Sequence, residues 1–171
     1  CVVTYEEGFG ELAYDYYIEY PMEELTVPAD EIEDTSYTVS LWFKTDDPEG
    51  GLFEVFYDQV LGGTANQGND RAIWLTGGQV CARLWSNNSL EPICSDSRYD
   101  DGEWHYVMHT YGGQTGGQEL YMDGELVQKG TKTYSGFDFG NAIKIGESIA
   151  ENGPFVGYID GIYIYDASFA E

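Results

Sequence analysis

The chain has 171 residues with 7 Lys or Arg against 31 Asp or Glu, a formal net charge of −24, and it is 42% hydrophobic and 16% aromatic. Such charge repels phosphate backbones and anionic membranes, which excludes nucleic acid as a partner, and no apolar run of about 18 residues offers a transmembrane segment. The length and apolar content fit a single packed domain, residues 1–171, rather than a disordered acidic coil.

The acid is front-loaded. Cys1 to Asp34 holds eleven carboxylates, and no Lys or Arg precedes Lys44. A salty medium, bound cations, a basic partner and a plain solvated surface are all open readings. No signal peptide precedes Cys1, as in a mature or trimmed chain, and Cys1 itself suggests a lipid anchor, an intermolecular disulfide or an arbitrary chain boundary. Val2-Val3-Thr4-Tyr5 is a short strand-like segment.

Strand signals dominate from there. Tyr37, Val39, Leu41 and Phe43 alternate with Thr38, Ser40, Trp42 and Lys44, a period of two. Gly51–Tyr57 follows the turn-like Asp46-Asp47-Pro48-Glu49-Gly50. Arg71–Leu75 and Gln79–Trp85 read as strands joined at Gly77-Gly78, with Val80, Ala82 and Leu84 on one face and Cys81 on the other. Cys81 and Cys94 are equidistant from the polar Asn87-Asn88 pair, where a hairpin turn belongs. In-register pairing sets them opposite each other, so a disulfide is expected, and with it an exported protein. Asn87-Asn88-Ser89 is also a glycosylation sequon, with Asn87 the acceptor.

Trp104–Tyr111 and Glu119–Val127 come next, the latter turning at Asp123-Gly124, a tight hairpin signal. Ala142–Gly146 and Gly157–Tyr165 complete the set, with helical periodicity absent apart from a short turn near the C-terminus. About ten short strands with Gly-rich turns predict an antiparallel sandwich or barrel.

Three ordered segments, Asp101-Gly-Glu-Trp-His-Tyr-Val107, Leu120-Tyr-Met-Asp-Gly-Glu-Leu-Val127 and Gly157-Tyr-Ile-Asp-Gly-Ile-Tyr-Ile-Tyr165, resemble the laminin-G-like members of the concanavalin A-like jelly rolls. Tyr37–Phe43 matches the family's early core strand, and Tyr14–Pro21 an edge strand before it. The resemblance runs from about Tyr14 to Tyr165, most strongly over 37–165, and implies an all-β, two-sheet antiparallel jelly-roll sandwich. Trp42 and Trp104 are then expected in the core, while Trp74 and above all Trp85 are expected to be exposed, Trp85 as a ligand contact.

Catalytic chemistry is missing. The glucanases of this fold carry Glu-x-Asp-x-x-Glu on one strand, which sets an acid and a nucleophile about 5 Å apart. No strand here has that pattern; Glu31-Ile32-Glu33-Asp34 lies in a turn. His105 and His109 share a strand face but stand too far apart to clamp one metal, and His109 reads as a buried neutral imidazole. The metal that fits the carboxylates is calcium. One candidate set is Glu6 or Glu7 with Asp160, from strands the family places side by side. A second is Asp58, Asn69 and Asp70 on rim loops.

Together these features predict a non-catalytic, extracellular or cell-surface binding and adhesion module. Its expected partner is carbohydrate or a glycoprotein surface, recognised through rim loops that include Asp58, Asn69, Asp70, Trp85, Asn87 and Asn88. The alternative is a structural subunit of an extracellular assembly, a surface fibre or virion decoration, self-associating through its N-terminal strand and Cys1.

Overall fold

The computed structural model describes residues 25–28, 36–56, 69–85, 91–135, 142–148, 153–165 and 167–169. Cys1, the strand-like 2–5 and 14–21 segments, Glu6, Glu7, Asp58, Asn87 and Asn88 lie outside them, and of Asn69 only the backbone is described. The described residues form thirteen strands and no helix.

One sheet contains β1 (Leu25–Pro28), β3 (Gly50–Phe56), β4 (Asn69–Thr76), β5 (Gln79–Arg83), β6 (Ile93–Arg98) and β10 (Ala142–Ile145) in the order β1-β10-β3-β4-β5-β6. The two-residue strands β11 (Glu147–Ser148) and β12 (Gly153–Pro154) pair beside β3. The second sheet contains β2 (Ser36–Lys44), β7 (Trp104–Gly112), β8 (Gly117–Met122), β9 (Glu125–Lys129) and β13 (Tyr158–Tyr165) in the order β13-β2-β7-β8-β9. Pairing is antiparallel except for a single bridge between Pro154 and Gly51.

Alternation decides which side chains meet between the sheets. Tyr37, Val39, Leu41 and Phe43 of β2 are fully buried, in one cluster with Val107, Leu120 and Ile159 of their own sheet and Phe53, Val55, Ile73, Leu75, Val80 and Ala82 of the other. Each such side chain stabilises the fold by roughly 1.5–3 kcal/mol on leaving water, which makes this layer the main source of stability. The tight turns fall where expected: Asp123 and Gly124 have φ of 53° and 85°, Gly77 and Gly78 58° and 82°. Positive φ at both central positions is the twist that matches a two-residue hairpin, and Asp is among the few side-chain-bearing residues that tolerate it.

Cys81 stands opposite Cys94 in the β5–β6 register, and the two are bonded. Trp74 lies opposite Cys81 on β4 and packs with it and Ala72 in a second small cluster on the outer side of the first sheet. The expectation that Trp74 is exposed is therefore corrected: it is 5% exposed. The expectation that Trp42 and Trp104 are core residues is corrected in the opposite sense, since they are 43% and 40% exposed. Trp42 occupies the polar phase of its strand, and the strand's parity overrides the general tendency of Trp to be covered.

A candidate binding face and its adjoining cavity

The outer face of the second sheet is built from the alternate residues of three adjacent strands. Lys44 of β2 lies between Tyr158 of β13 and Trp104 of β7. Two residues back, Trp42 lies between Asp160 and Tyr106. The rings of Trp42 and Tyr106 are 5.3 Å apart and those of Trp104 and Tyr158 6.4 Å. Strands flanking a common neighbour are separated by about 9.5 Å, so Trp104 and Tyr158 lean towards each other over Lys44. Further along β13, Tyr163 stacks on Tyr165 at 6.4 Å, and Tyr165 meets Phe169 edge-on at 5.1 Å. The far end of the face is covered by the C-terminal segment. Thr38 donates its hydroxyl to the Ala167 carbonyl and Phe169 N–H donates to Thr110 Oγ1, while Gly112 lies so close to Ser168 that a Cβ there would sit 2.5 Å from its Oγ. Gly112 thus serves this packing.

At the open end, a cavity of about 450 Å³ is lined by Lys44, Thr45, Asp46, Gly102, Val156, Gly157 and Tyr158. Thr45 ties its walls together. Its hydroxyl donates to the Val156 carbonyl at 2.6 Å and accepts from Asp47 N–H at 2.9 Å, and its carbonyl accepts from Gly102 N–H at 2.9 Å. A Cβ on Gly157 would come within 2.2 Å of the Lys44 carbonyl oxygen, so glycine is required where this loop meets β2.

His105 braces the Gly102 turn. Its Nε2 lies 3.0 Å from Asp101 Oδ1 and its Nδ1 2.9 Å from Asp123 Oδ2, while Asp123 Oδ1 accepts from Tyr106 N–H. Burial alone would lower the His105 pKa, but the bonds to Asp123 and Asp101 outweigh it and raise the pKa above the usual histidine value. Both ring nitrogens face carboxylates, as suits an imidazolium clamp between the turn and the β8–β9 hairpin. His109 is fully buried, with Nε2 3.1 Å from Gln118 Oε1, and burial pushes its pKa down to about 4.

The rim residues expected to bind ligand are placed differently. Asp70 is a strand residue, 1% exposed: Oδ1 accepts from Trp85 N–H at 2.9 Å and from Ser135 Oγ at 2.8 Å, and Oδ2 lies 2.8 Å from Arg71 Nε. It anchors the chain around half-buried Trp85 instead of facing solvent. Asn69 precedes it on β4, opposite Phe56. Asp160 lies beside Trp42, where its carboxylate accepts the Gly161 N–H at 2.7 Å. No group of three or more His, Cys, Asp or Glu side chains suited to a metal gathers among the described residues. Glu6, Glu7 and Asp58, the other carboxylates of the two calcium sets, lie outside the described residues.

A family model described as the Concanavalin A-like lectin/glucanases superfamily, of laminin G type, matches residues 23–171. The chain belongs to this superfamily. Its sandwich is similar to domains LG4-5 of the mouse laminin alpha1 chain (TM-score 0.69, 14% identity, covering 94% of this chain and 45% of that one). It is also similar to the native heptameric SAP-like pentraxin of Limulus polyphemus (0.60, 19%, 95% and 75%). A third likeness is to the CBM40 of Ruminococcus gnavus IT-sialidase bound to alpha2,3 sialyllactose (0.63, 15%, 81% and 80%). The chain thus spans less than half the length of the laminin fragment, and at these identities the likenesses establish the jelly-roll fold. No curated protein matches it. No helix of the described residues is long and apolar enough to cross a membrane.

The aromatic face was missed by sequence reasoning. Its signal was present all the same, in a Trp sharing strand phase with Thr38, Ser40 and Lys44.

Proposed function

We propose that the domain is a non-catalytic module of an extracellular or cell-surface protein that binds carbohydrate or a glycoconjugate, in adhesion or attachment. The observation that carries this reading is the exposure of Trp42 and Trp104, paired with Tyr106 and Tyr158 on a sheet face beside a preformed cavity. Exposed aromatic pairs of this kind offer flat apolar area to the C–H face of a sugar ring, while a nearby cavity with a few polar groups sets orientation. The Cys81–Cys94 bond supports an oxidising compartment, and the glycan-bound CBM40 relative supports carbohydrate as the ligand class. Calcium, expected from the sequence, enters as a condition of the assay.

The test is a glycan array probed with the intact chain, in calcium and again in chelator. Binding that is retained by the parent and lost in Trp42→Ala is the expected result. An array blank under both conditions would sink the reading.

A further inference from the structure

The cavity at the end of the second sheet carries more than a general affinity for sugar. All seven Lys and Arg of the chain fall among the described residues. Arg71, Arg98, Lys129 and Lys144 pair with Asp70, Asp100, Glu119 and Glu147. Lys132 donates to the Leu84 carbonyl at 2.9 Å, and Arg83 is likewise engaged. Among the described residues, the Lys44 ammonium alone has no side-chain hydrogen-bond or ionic partner, in a chain with 31 carboxylates. It lines the cavity together with exposed Asp46 and with Tyr158, whose ring lies 6.4 Å from that of Trp104 at the cavity's edge.

We propose that this cavity is the subsite for one unit of an uncharged glycan chain, with Lys44 donating and Asp46 accepting hydrogen bonds from its hydroxyls and Trp104 and Tyr158 covering its apolar face. The proposal rests on the carbohydrate reading above and narrows it. An anionic sugar would meet Asp46 and the field of a chain with net charge −24. A cationic ligand would meet the Lys44 ammonium. An uncharged polyhydroxylated ring uses both groups, because a hydroxyl both donates and accepts while ammonium only donates and carboxylate only accepts. A second copy of the chain is disfavoured on the same surface, since each copy carries −24. The walls are already fixed by the Thr45 hydrogen bonds, so little ordering opposes binding. The volume lies within the range of small-molecule sites.

The test is isothermal titration of the intact chain with cellohexaose, chitohexaose and mannohexaose, and with hexagalacturonate as the acidic counterpart. Lys44→Gln, Asp46→Asn and Trp104→Ala are compared with the parent, each checked for fold by circular dichroism. At least one neutral hexasaccharide is expected to bind, with Lys44→Gln and Asp46→Asn each weakening it about tenfold, the scale of one hydrogen bond to a charged group. Trp104→Ala is expected to weaken it by at least about fivefold. Should Trp104→Ala fail to fold, the two polar variants carry the test alone. Glycan binding that survives both within about twofold, or that favours hexagalacturonate, overturns the subsite and leaves the carbohydrate reading standing. No binding to any glycan overturns both.

Discussion

Removing the Cys81–Cys94 bond tests whether the β5–β6 hairpin relies on its cross-link. The two cysteines are directly opposed, with a sequence separation of 13. For a loop of that length, the gain from restricting the unfolded chain is about 3 kcal/mol at 25 °C. Cys81 is 1% exposed and packed against Trp74 and Ala72, so Cys81→Ala removes one buried sulfur and adds roughly 1 kcal/mol for the gap. Cys94 is half-buried, and its replacement adds little. The double variant Cys81→Ala/Cys94→Ala should therefore lose about 3–4 kcal/mol, a fall in melting temperature of roughly 6–15 °C for a chain of this size. Calorimetric melting of the oxidised parent, the parent in reductant and the double variant reads this directly. The parent in reductant should lose the loop contribution but keep its buried sulfur, and so melt roughly 2–4 °C above the double variant. Melting of all three within about 2 °C would refute the reasoning, because the loop term alone exceeds that.

Three further outcomes follow from the geometry. His109 is neutral in the fold until about pH 4, whereas an unfolded histidine takes its proton near 6.5, so stability falls as pH drops between those values, by about 3 kcal/mol; His109→Gln should flatten that limb of the melting profile. A His109→Gln profile parallel to the parent's would contradict it. For His105 the sign reverses: its raised folded pKa means that the clamp stabilises fully below about pH 6.5 and loses that contribution as pH rises through the folded value. The melting-temperature gap between parent and His105→Asn should accordingly shrink with rising pH, and a constant gap would rule out the imidazolium clamp. Gly157→Ala combines a φ of +148° with a backbone clash against the Lys44 carbonyl; a loss of roughly 1–3 kcal/mol in urea unfolding is expected, and an unchanged midpoint would show that the loop gives way.

The fold was largely legible because its determinants are local. The period-two run from Tyr37 to Lys44, the Asp123-Gly124 turn and the symmetric placing of Cys81 and Cys94 each state a strand, a reversal or a register within a few residues. What was not legible is non-local or irregular. The order β1-β10-β3 joins segments far apart in sequence, and β11 and β12 have two residues each, too few to show a period. β13 illustrates a third cause. Its pairing with β2 skips from Asp160 to Tyr163, so Gly161 and Ile162 together oppose Leu41. Gly161 has φ of +55°, the conformation that lets one extra residue enter an antiparallel strand. Simple alternation from Ile159 would send Tyr163 and Tyr165 into the core. The bulge returns both to the outer face and lets Ile162 pack against the core instead.

The same competition between residue type and strand phase explains why the binding face was hidden. A Trp invites a core assignment because burying it yields a large hydrophobic gain. On β2, though, the inward positions already hold Tyr37, Val39, Leu41 and Phe43, all fully buried, and moving Trp42 inward by one register step would turn all four outward. Four buried side chains outweigh one, so Trp42 is held at the surface whatever its own preference. Trp104, opposite Lys44 on β7, follows by register, since a side chain across from an outward residue is itself outward. The core's demand for its own alternation thus sets two indoles and Lys44, which has no ionic partner among the described residues, on the outer face of a chain that is otherwise overwhelmingly acidic.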